Sequence, residues 1–161
     1  MTDYDLVIVG AGSGNMLPND DIAGLSLAVV ETDRFGGTCL NRGCVPSKMF
    51  VYAADVAEVV RHASRYGIDA TFAGADWSAI RDRVFGRIDP LHERGIAHRR
   101  RAGAQVYLGR GRFVAPKELE VDGEVLRAPQ FVVAVGSRPR VPDIPGLDSV
   151  AFHTSDSIMR I

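Results

Sequence analysis

The sequence predicts an α/β domain built around a parallel sheet, and three apolar runs carry that prediction. Leu6-Val7-Ile8-Val9 and residues 25–30 are short apolar segments, as strands buried on both faces of a sheet are. A third run, residues 131–136, indicates a strand that returns to the same sheet late in the chain. Helical patterns lie between the second and third runs, as crossover connections between parallel strands require.

Composition limits the kind of protein this can be. The 161 residues are enough for one core of ordinary domain size, and nothing in them argues for two independent domains. A hydrophobic content of 46%, a charged content of 24% and a net charge of -1 describe a soluble globular chain with no bulk attraction to nucleic acid or membranes. No leader of basic and then apolar residues is visible, so we expect a cytoplasmic protein whose chemistry comes from specific sites.

A glycine-rich turn follows the first strand. Gly10 permits the tight turn, and Gly12 lets backbone N–H groups approach a pyrophosphate. Glu31, 21 positions after Gly10, lies where a carboxylate meets ribose hydroxyls in dinucleotide-binding folds. This order of elements favours dinucleotide binding over a coincidental glycine turn. Asn15 replaces the third glycine of the common pattern and Pro18 follows, so we expect a short or distorted first helix.

Two cysteines, Cys39 and Cys44, lie five positions apart and are the only ones in the chain. As a structural staple so short a loop would contribute only about 2 kcal/mol in the chain-entropy model, and a cytoplasmic setting keeps most thiols reduced. A zinc site would need further ligands at suitable spacing, which the four scattered histidines do not provide, so we predict no metal. The pair is therefore predicted to form a disulfide that is made and broken during turnover.

A helix is predicted directly after the cysteines. Pro46 suits a first helical turn, and Gly67 suits a C-terminal cap. Cys44 then lies just before a helix N-terminus, where the dipole favours a thiolate, and Lys48 adds positive charge unless it is an ordinary surface lysine. The predicted helix spans residues 47–66, and its apolar positions, which we expect to be core, are Met49, Phe50, Ala53, Val56, Ala57, Val60 and Ala63.

Further helices and a set of short strands follow. Asp76 is a predicted N-cap for a helix that Asp89-Pro90 ends. A second helical stretch runs to the basic cluster at residues 98–101, which we interpret as a solvated helix end rather than as an anion or nucleic-acid site. The pattern then becomes β, with a strong hairpin turn at Asp122-Gly123.

Residues 36–48 read Gly-Gly-Thr-Cys-Leu-Asn-Arg-Gly-Cys-Val-Pro-Ser-Lys, and they resemble the redox-active disulfide motif of the pyridine nucleotide-disulfide oxidoreductases, which are FAD flavoproteins. With the glycine turn and a late Ala-Val-Gly element at residues 134–136, the resemblance covers essentially the whole chain. It implies a Rossmann-like, three-layer FAD-binding domain with an inserted antiparallel β-meander at about residues 105–128 and an extended, proline-rich connector at residues 137–146. Residues 1–161 would be the N-terminal part of that domain, and we expect the family's NAD(P)H-binding and dimerisation domains to be absent from this chain.

The resemblance also implies roles for individual residues. Electrons would pass from NADPH to FAD, then to the disulfide and then to a substrate, with Cys39 as the thiol that exchanges with substrate and Cys44 as the thiol next to the flavin. Lys48 would lie near the isoalloxazine ring. Gly111 resembles a position near the adenine, although a glycine that eases a bend explains it equally well. The implied FAD-binding set is Gly10, Ala11, Gly12, Ser13, Gly14, Glu31, Gly37, Thr38, Lys48, Gly111, Ala134 and Gly136.

Several stretches resemble the mycothione reductase branch of the family, among them residues 12–15, 48–54, 64–69, 84–90 and 152–156. That branch implies a small disulfide substrate similar to mycothiol disulfide, a homodimer, and no nucleic-acid or membrane partner. The resemblance implies that the acid-base histidine comes from the dimerisation domain of the partner subunit. No histidine of this chain matches its motif, so we assign that role to none of them. Two alternatives stay open: a reductase similar to dihydrolipoamide dehydrogenase, and a truncated chain that binds FAD without catalysis.

Overall fold

The computed structural model describes residues 1–16 and 22–161, so the interruption predicted at Pro18 lies outside the described residues. The chain forms two compact units. The sheet unit contains Met1–Cys39 and Pro90–Arg138, and the helix unit contains Leu40–Asp89 and Pro139–Ile161. Within the described ranges, no helix combines the length and the apolar character needed to cross a membrane.

The described residues contain eight strands and four α-helices. Of the helices, α1 (Gly37–Arg42) begins in the sheet unit, α2 (Cys44–Arg61) and α3 (Trp77–Ile88) lie in the helix unit, and α4 (Leu91–Arg101) lies in the sheet unit. All the strands belong to the sheet unit: β1 (Thr2–Asp3), β2 (Leu6–Val9), β3 (Leu27–Glu31), β4 (Gln105–Leu108), β5 (Gly111–Ala115), β6 (Glu118–Val121), β7 (Glu124–Arg127) and β8 (Gln130–Val133).

The central sheet of the sheet unit is parallel, as the sequence predicts. Its strand order is β4-β3-β2-β8, and every neighbouring pair runs in the same direction. All of β2 is buried, which explains why its sequence is apolar throughout instead of alternating. The α/β class with a parallel central sheet is therefore confirmed.

Two buried clusters cover the opposite faces of this sheet. Because successive side chains of a strand point to opposite faces, Val7 belongs to one cluster and Ile8 to the other. The first cluster contains Leu126 of β7, and the second contains Ile96 of α4. The sheet unit thus has three layers, with α4 on one face of the parallel sheet and a second sheet on the other.

The second sheet contains the predicted antiparallel meander. Its order is β1-β7-β6-β5, in which β5, β6 and β7 are antiparallel and β1 joins β7 in parallel. The hairpin turn at Asp122-Gly123 is confirmed, with φ angles of 49° and 85°, as a two-residue turn of type I′ requires. The strand at residues 105–108, grouped with the meander in the prediction, instead forms β4 and pairs with β3. A short strand pattern does not reveal its partner, so the meander begins at Gly111.

In the helix unit, α2 and α3 pack through aromatic side chains. Phe50 of α2 stacks on Trp77 of α3, with 4.9 Å between the ring centroids. The predicted N-cap is confirmed, because the Ala79 N–H donates to Oδ1 of Asp76 at 3.0 Å. The buried cluster of this unit is Val84, Phe85 and Ile88, and packed against it are Leu40, Val45, Met49, Phe50 and Met159.

The observed α2 differs from the predicted helix 47–66 at both ends. It begins at Cys44 and ends at Arg61, and a 3₁₀ turn over Ala63–Tyr66 follows before Gly67 closes the segment with a φ of 73°. The apolar stripe that was expected to be core is only partly covered, since Val56 is 47% exposed. The reason is that α3 covers α2 near its beginning, whereas the later apolar positions line a groove of about 510 Å³.

Candidate functional site

The carboxyl ends of three parallel strands bring the predicted dinucleotide residues together. Gly10 follows β2, Glu31 ends β3 and Ala134 follows β8. Because β2 lies between β3 and β8, these residues share one edge of the sheet at the point where the strand order reverses, and ligands bind at such points in open α/β sheets. Backbone hydrogen bonds join the three ends: the Gly10 N–H donates to the Val30 carbonyl and the Ala134 N–H to the Val9 carbonyl, both at 2.8 Å.

Gly10 has no room for a side chain. Its φ of +109° lies in the region that strains residues with a Cβ. A Cβ here would overlap the carbonyl oxygen of Ala134 and lie 2.7 Å from the carbonyl carbon, and a Cβ on Gly14 would overlap the Ala134 side chain. The glycine turn is thus packed against the segment that follows β8, and this packing requires glycine independently of any ligand.

The Glu31 carboxylate holds the same turn from its other side. Its Oε2 accepts the Ala11 N–H at 2.7 Å, and its Oε1 accepts the Asp33 N–H at 2.9 Å. A carboxylate has about four acceptor sites, so these two bonds leave capacity for ribose hydroxyls. The structure therefore gives Glu31 a role in fixing the turn that the sequence did not reveal, and its predicted ribose contact is compatible with that role.

Backbone contacts attach the segment before the first cysteine to the glycine turn. The Gly36 N–H donates to the Ala11 carbonyl at 2.9 Å. A Cβ on Gly37, whose φ is +60°, would lie 2.7 Å from the Cα of Gly12. Cys39 follows two residues later within α1, and its side chain is exposed. The start of α1 is therefore fixed beside the glycine turn.

A contact between Phe35 and His92 of α4 fixes the segment before Cys39, and the sequence did not reveal this contact. The Phe35 N–H donates to Nδ1 of His92 at 3.1 Å. The two rings meet edge to face at 6.2 Å, and Phe35 is fully buried. His92 and Gly95 lie three positions apart on α4, and a Cβ on Gly95 would come within 3.2 Å of Phe35. Residues three positions apart lie on the same face of a helix, so this spacing was the sequence signal that His92 and Gly95 face a common neighbour.

In the helix unit, Cys44 is the first residue of α2. This helix is 18 residues long, so Cys44 lies at the positive end of its dipole, one position inside the helix rather than before it. Pro46 is buried in the first turn, where no intrahelical N–H is needed, and Ser47 Oγ donates to the Gly43 carbonyl at 2.6 Å. The side chains of Cys44 and Lys48 are both exposed.

Residues 4–160 match the protein-family model described as "Pyridine nucleotide-disulphide oxidoreductase". The chain belongs to this family. The match spans the glycine turn, both cysteines and the meander, so it confirms the resemblance that residues 36–48 indicate.

The curated relatives that the chain resembles include two reductases and a dehydrogenase. The chain is 46% identical over 168 residues to mycothione reductase of Mycobacterium tuberculosis, covering 100% of this chain and 37% of that protein. It is 33% identical over 148 residues to a glutathione reductase of Nostoc sp., covering 91% and 32%. It is 32% identical over 178 residues to a dihydrolipoyl dehydrogenase of Bacillus subtilis, covering 99% and 37%. The chain thus spans about a third of the length of these relatives.

The remaining residues of the predicted FAD-binding set lie outside these contacts. Ser13 and Thr38 are exposed. A Cβ on Gly136, whose φ is +69°, would meet no atom of the described residues within 4 Å. Gly111 opens β5, where a Cβ would lie 3.0 Å from the side chain of Leu119, so packing within the meander accounts for this glycine. Its place near an adenine stays a prediction.

Arg99 is a buried charge that the sequence interpretation missed. It was grouped with a solvated basic cluster, but it is only 7% exposed, and burial lowers the pKa of its guanidinium. Its Nη2 donates to the carbonyl oxygen of Asn15 in a 3₁₀ turn over Ser13–Met16. Arg100 is exposed, as predicted. The position of Arg99 three residues after Ile96, on the apolar side of α4, was the signal in the sequence.

The residues of the sheet unit fit the FAD that this family implies. The glycine turn presents backbone instead of side chains at the edge of the sheet, as a pyrophosphate needs. The Glu31 carboxylate keeps acceptor capacity for a ribose. In addition, Nε of the buried Arg99 has no hydrogen-bond partner among residues 1–16 and 22–161, so a cationic donor at the turn is left unsatisfied.

Proposed function

We propose that this chain is the FAD-binding and disulfide-bearing part of an NAD(P)H-dependent flavoprotein disulfide reductase whose substrate is a small disulfide of the mycothiol type. The observation that carries the proposal is the attachment of Gly36 and Gly37 to the glycine turn, in a chain of this family. The backbone that closes the dinucleotide edge leads directly into Cys39.

The cofactor would be held by groups at the edge of the parallel sheet. The backbone of residues 10–14 would receive the pyrophosphate, and the Glu31 carboxylate would accept the ribose hydroxyls. FAD, once reduced by NADPH, would supply the two electrons that open the Cys39–Cys44 disulfide. NADPH would bind to a part of the protein outside this chain, and the homodimer of the family would supply the acid-base histidine.

The two cysteines would then carry out thiol-disulfide exchange. The Cys39 thiolate attacks one sulfur of the substrate disulfide, so the substrate S–S bond breaks, a mixed disulfide forms and the first substrate thiolate leaves. The Cys44 thiolate attacks Sγ of Cys39, which restores the Cys39–Cys44 disulfide and releases the second thiolate. Each released thiolate takes up a proton, so one disulfide, two electrons and two protons give two thiols.

The spectrum of the purified chain with FAD tests the cofactor and the two cysteine roles. After addition of two electrons per flavin from dithionite, we expect the wild-type chain to show a long-wavelength charge-transfer absorbance from a thiolate beside oxidised flavin. Without any reductant, Cys39→Ser should show this band and Cys44→Ser should not. The opposite pattern would reverse the two roles. Tight FAD binding without a band in the wild-type chain would support the non-catalytic alternative, and failure to bind FAD would contradict the proposal.

Substrate choice is tested with the full-length protein that carries this chain. Identity of 46% to a mycothione reductase, against 32% to a dihydrolipoyl dehydrogenase, supports a mycothiol-type disulfide. We expect kcat/KM to be higher for NADPH-dependent reduction of mycothiol disulfide than for oxidation of dihydrolipoamide. A preference for dihydrolipoamide would favour the dehydrogenase alternative.

A further inference from the structure

The described residues that follow the glycines form a 3₁₀ turn at the predicted pyrophosphate site. The described residues at this point, Ser13–Met16, form a 3₁₀ turn in which the Asn15 N–H donates to the Gly12 carbonyl at 3.1 Å. An α-helix stabilises phosphate through the aligned dipoles of several turns of backbone. The four described residues of 3₁₀ turn supply little of that field by themselves, so a positive charge beside them would strengthen the binding of a pyrophosphate.

Arg99 places a buried positive charge at this turn. The residue is only 7% exposed, and no carboxylate in residues 1–16 or 22–161 forms an ion pair with it. A buried cation without a counter-charge is costly, because it has lost its hydration and gains no Coulomb energy in return. The structure holds this cation against the carbonyl of Asn15, at the turn where a bound dinucleotide would bring two phosphates.

Two polar atoms around this contact are unsatisfied. Among the described residues, neither Nε of Arg99 nor Oδ1 of Asn15 has a hydrogen-bond partner, and both atoms are buried. Buried polar groups are normally paired, so a donor and an acceptor left over on two residues that already touch mark an incomplete polar site. A ligand with its bound water at the turn would complete it.

We propose that Arg99 is the positioning cation of the pyrophosphate-binding turn. Its hydrogen bond fixes the Asn15 carbonyl, and its charge provides positive potential at the place of the phosphates. The inference rests on the proposed function, because the ligand is the pyrophosphate of FAD. Arg99 acts through the turn and through its field, and the mechanism needs no direct contact between its guanidinium and the phosphates.

Three variants separate the charge of Arg99 from its packing. Arg99→Gln keeps an N–H donor for the Asn15 carbonyl but removes the charge, and Arg99→Lys restores a charge without the guanidinium. Arg100→Gln is the matched control, since Arg100 is the next residue of α4 and is exposed. ADP and adenosine serve as probes that compete with FAD for the flavin-free chain, because they differ only in the diphosphate.

We expect Arg99→Gln to weaken ADP binding roughly tenfold, as the loss of one favourable charge at a phosphate does, and to change adenosine binding by less than about twofold. Arg99→Lys should recover most of the preference for ADP over adenosine. Arg100→Gln should bind both ligands as the wild-type chain does. The melting temperature of each flavin-free variant, with and without inorganic pyrophosphate, provides an independent readout, and pyrophosphate should stabilise the wild-type chain more than Arg99→Gln.

The outcomes distinguish this inference from the proposed function. Equal weakening of ADP and adenosine in Arg99→Gln would reduce Arg99 to a structural residue, and unchanged binding of both would leave it no role at the turn. A wild-type chain that binds neither FAD nor ADP would instead overturn the proposed function and the inference together. If Arg99→Gln does not fold, Arg99→Lys decides: a wild-type ratio of ADP to adenosine affinity supports a charge-based role, and a reduced ratio contradicts it.

Discussion

The glycine turn and the beginning of α2 are both predicted to serve redox chemistry, but they are built by opposite means. At the turn, the working groups are backbone atoms fixed by close contacts, with Gly10 against Ala134 and Ala11 only 1% exposed. At the beginning of α2, the working groups are the exposed side chains of Cys44 and Lys48. Substitutions at the turn should therefore disturb fold and function together, whereas substitutions at the helix start should change chemistry and leave stability almost untouched.

The largest loss of stability is expected for Gly10→Ala. The positive φ alone should cost about 1 kcal/mol, and overlap with the Ala134 carbonyl should raise the total to about 3 kcal/mol or more. Urea unfolding of the flavin-free chain measures this loss. Gly67→Ala is the control, because its φ of +73° imposes similar strain but a Cβ there meets no described atom within 4 Å. Equal losses in the two variants would show that the close approach to Ala134 contributes nothing.

A smaller loss is expected for Glu31→Gln. The two carboxylate oxygens accept the N–H groups of Ala11 and Asp33, and a glutamine would turn an NH₂ group toward one of those donors. Leaving one such donor unsatisfied should cost about 1–2 kcal/mol. Urea unfolding checks the loss, and hydrogen exchange at the amide of Ala11 or of Asp33 should accelerate. Glu93→Gln, at an exposed position of α4, should change neither quantity. Unchanged exchange at both amides would contradict a role for Glu31 in fixing the turn.

Local patterns predicted the glycine turn, the acidic residue that ends β3 and the hairpin at Asp122-Gly123. Each of these features follows from the residue types within one strand or one turn. The sequence failed where long-range packing decides. Arg99 is buried because the turn holding Asn15 meets α4 there, and a run of arginines does not reveal which one faces inward.

The same reason explains the errors elsewhere. The prediction that residues 105–108 belong to the meander was wrong, because the sequence of a four-residue strand does not show which sheet the strand joins. The stripe on α2 was taken as core because helical spacing shows that a face is apolar but not how much of it a neighbouring helix covers. Val56 stays 47% exposed on a face whose beginning is packed against α3.

The surface of the meander offers an intermediate case, in which exposed side chains support the fold. Glu124 accepts hydrogen bonds from Thr2 Oγ1 at 2.7 Å and from the Tyr107 hydroxyl at 3.1 Å, and these bonds lower the pKa of its carboxyl. A lowered pKa in the folded state means that the ionised group favours folding above the unfolded pKa. This contribution is lost as pH falls through the folded pKa.

An NMR titration of the chain measures this effect. The Glu124 carboxyl should titrate below an ordinary glutamate, and Thr2→Val should move its pKa back toward the usual value because the shorter of the two hydrogen bonds is removed. The loss of stability on acidification should be slightly smaller in Thr2→Val than in the wild-type chain. A pKa of Glu124 that Thr2→Val leaves in place would show that the link between β1 and β7 does not stabilise the ionised form.

The smallest change in stability is expected for Cys44→Ser, and this prediction tests the comparison most directly. Cys44 is exposed and opens α2, and serine is tolerated at such positions, so the free energy of unfolding under reducing conditions should change by no more than about 0.5 kcal/mol. Pro46→Ala, two residues away but buried, should lower the free energy of unfolding by about 1 kcal/mol. The substitution removes buried packing, and it also increases the conformational freedom of the unfolded chain. The same Cys44→Ser chain should lose its capacity to form the disulfide, which thiol titration after mild oxidation measures. If Cys44→Ser instead destabilises the chain as much as Gly10→Ala does, the beginning of α2 is not a region where chemistry and stability are separate, and the contrast with the glycine turn fails.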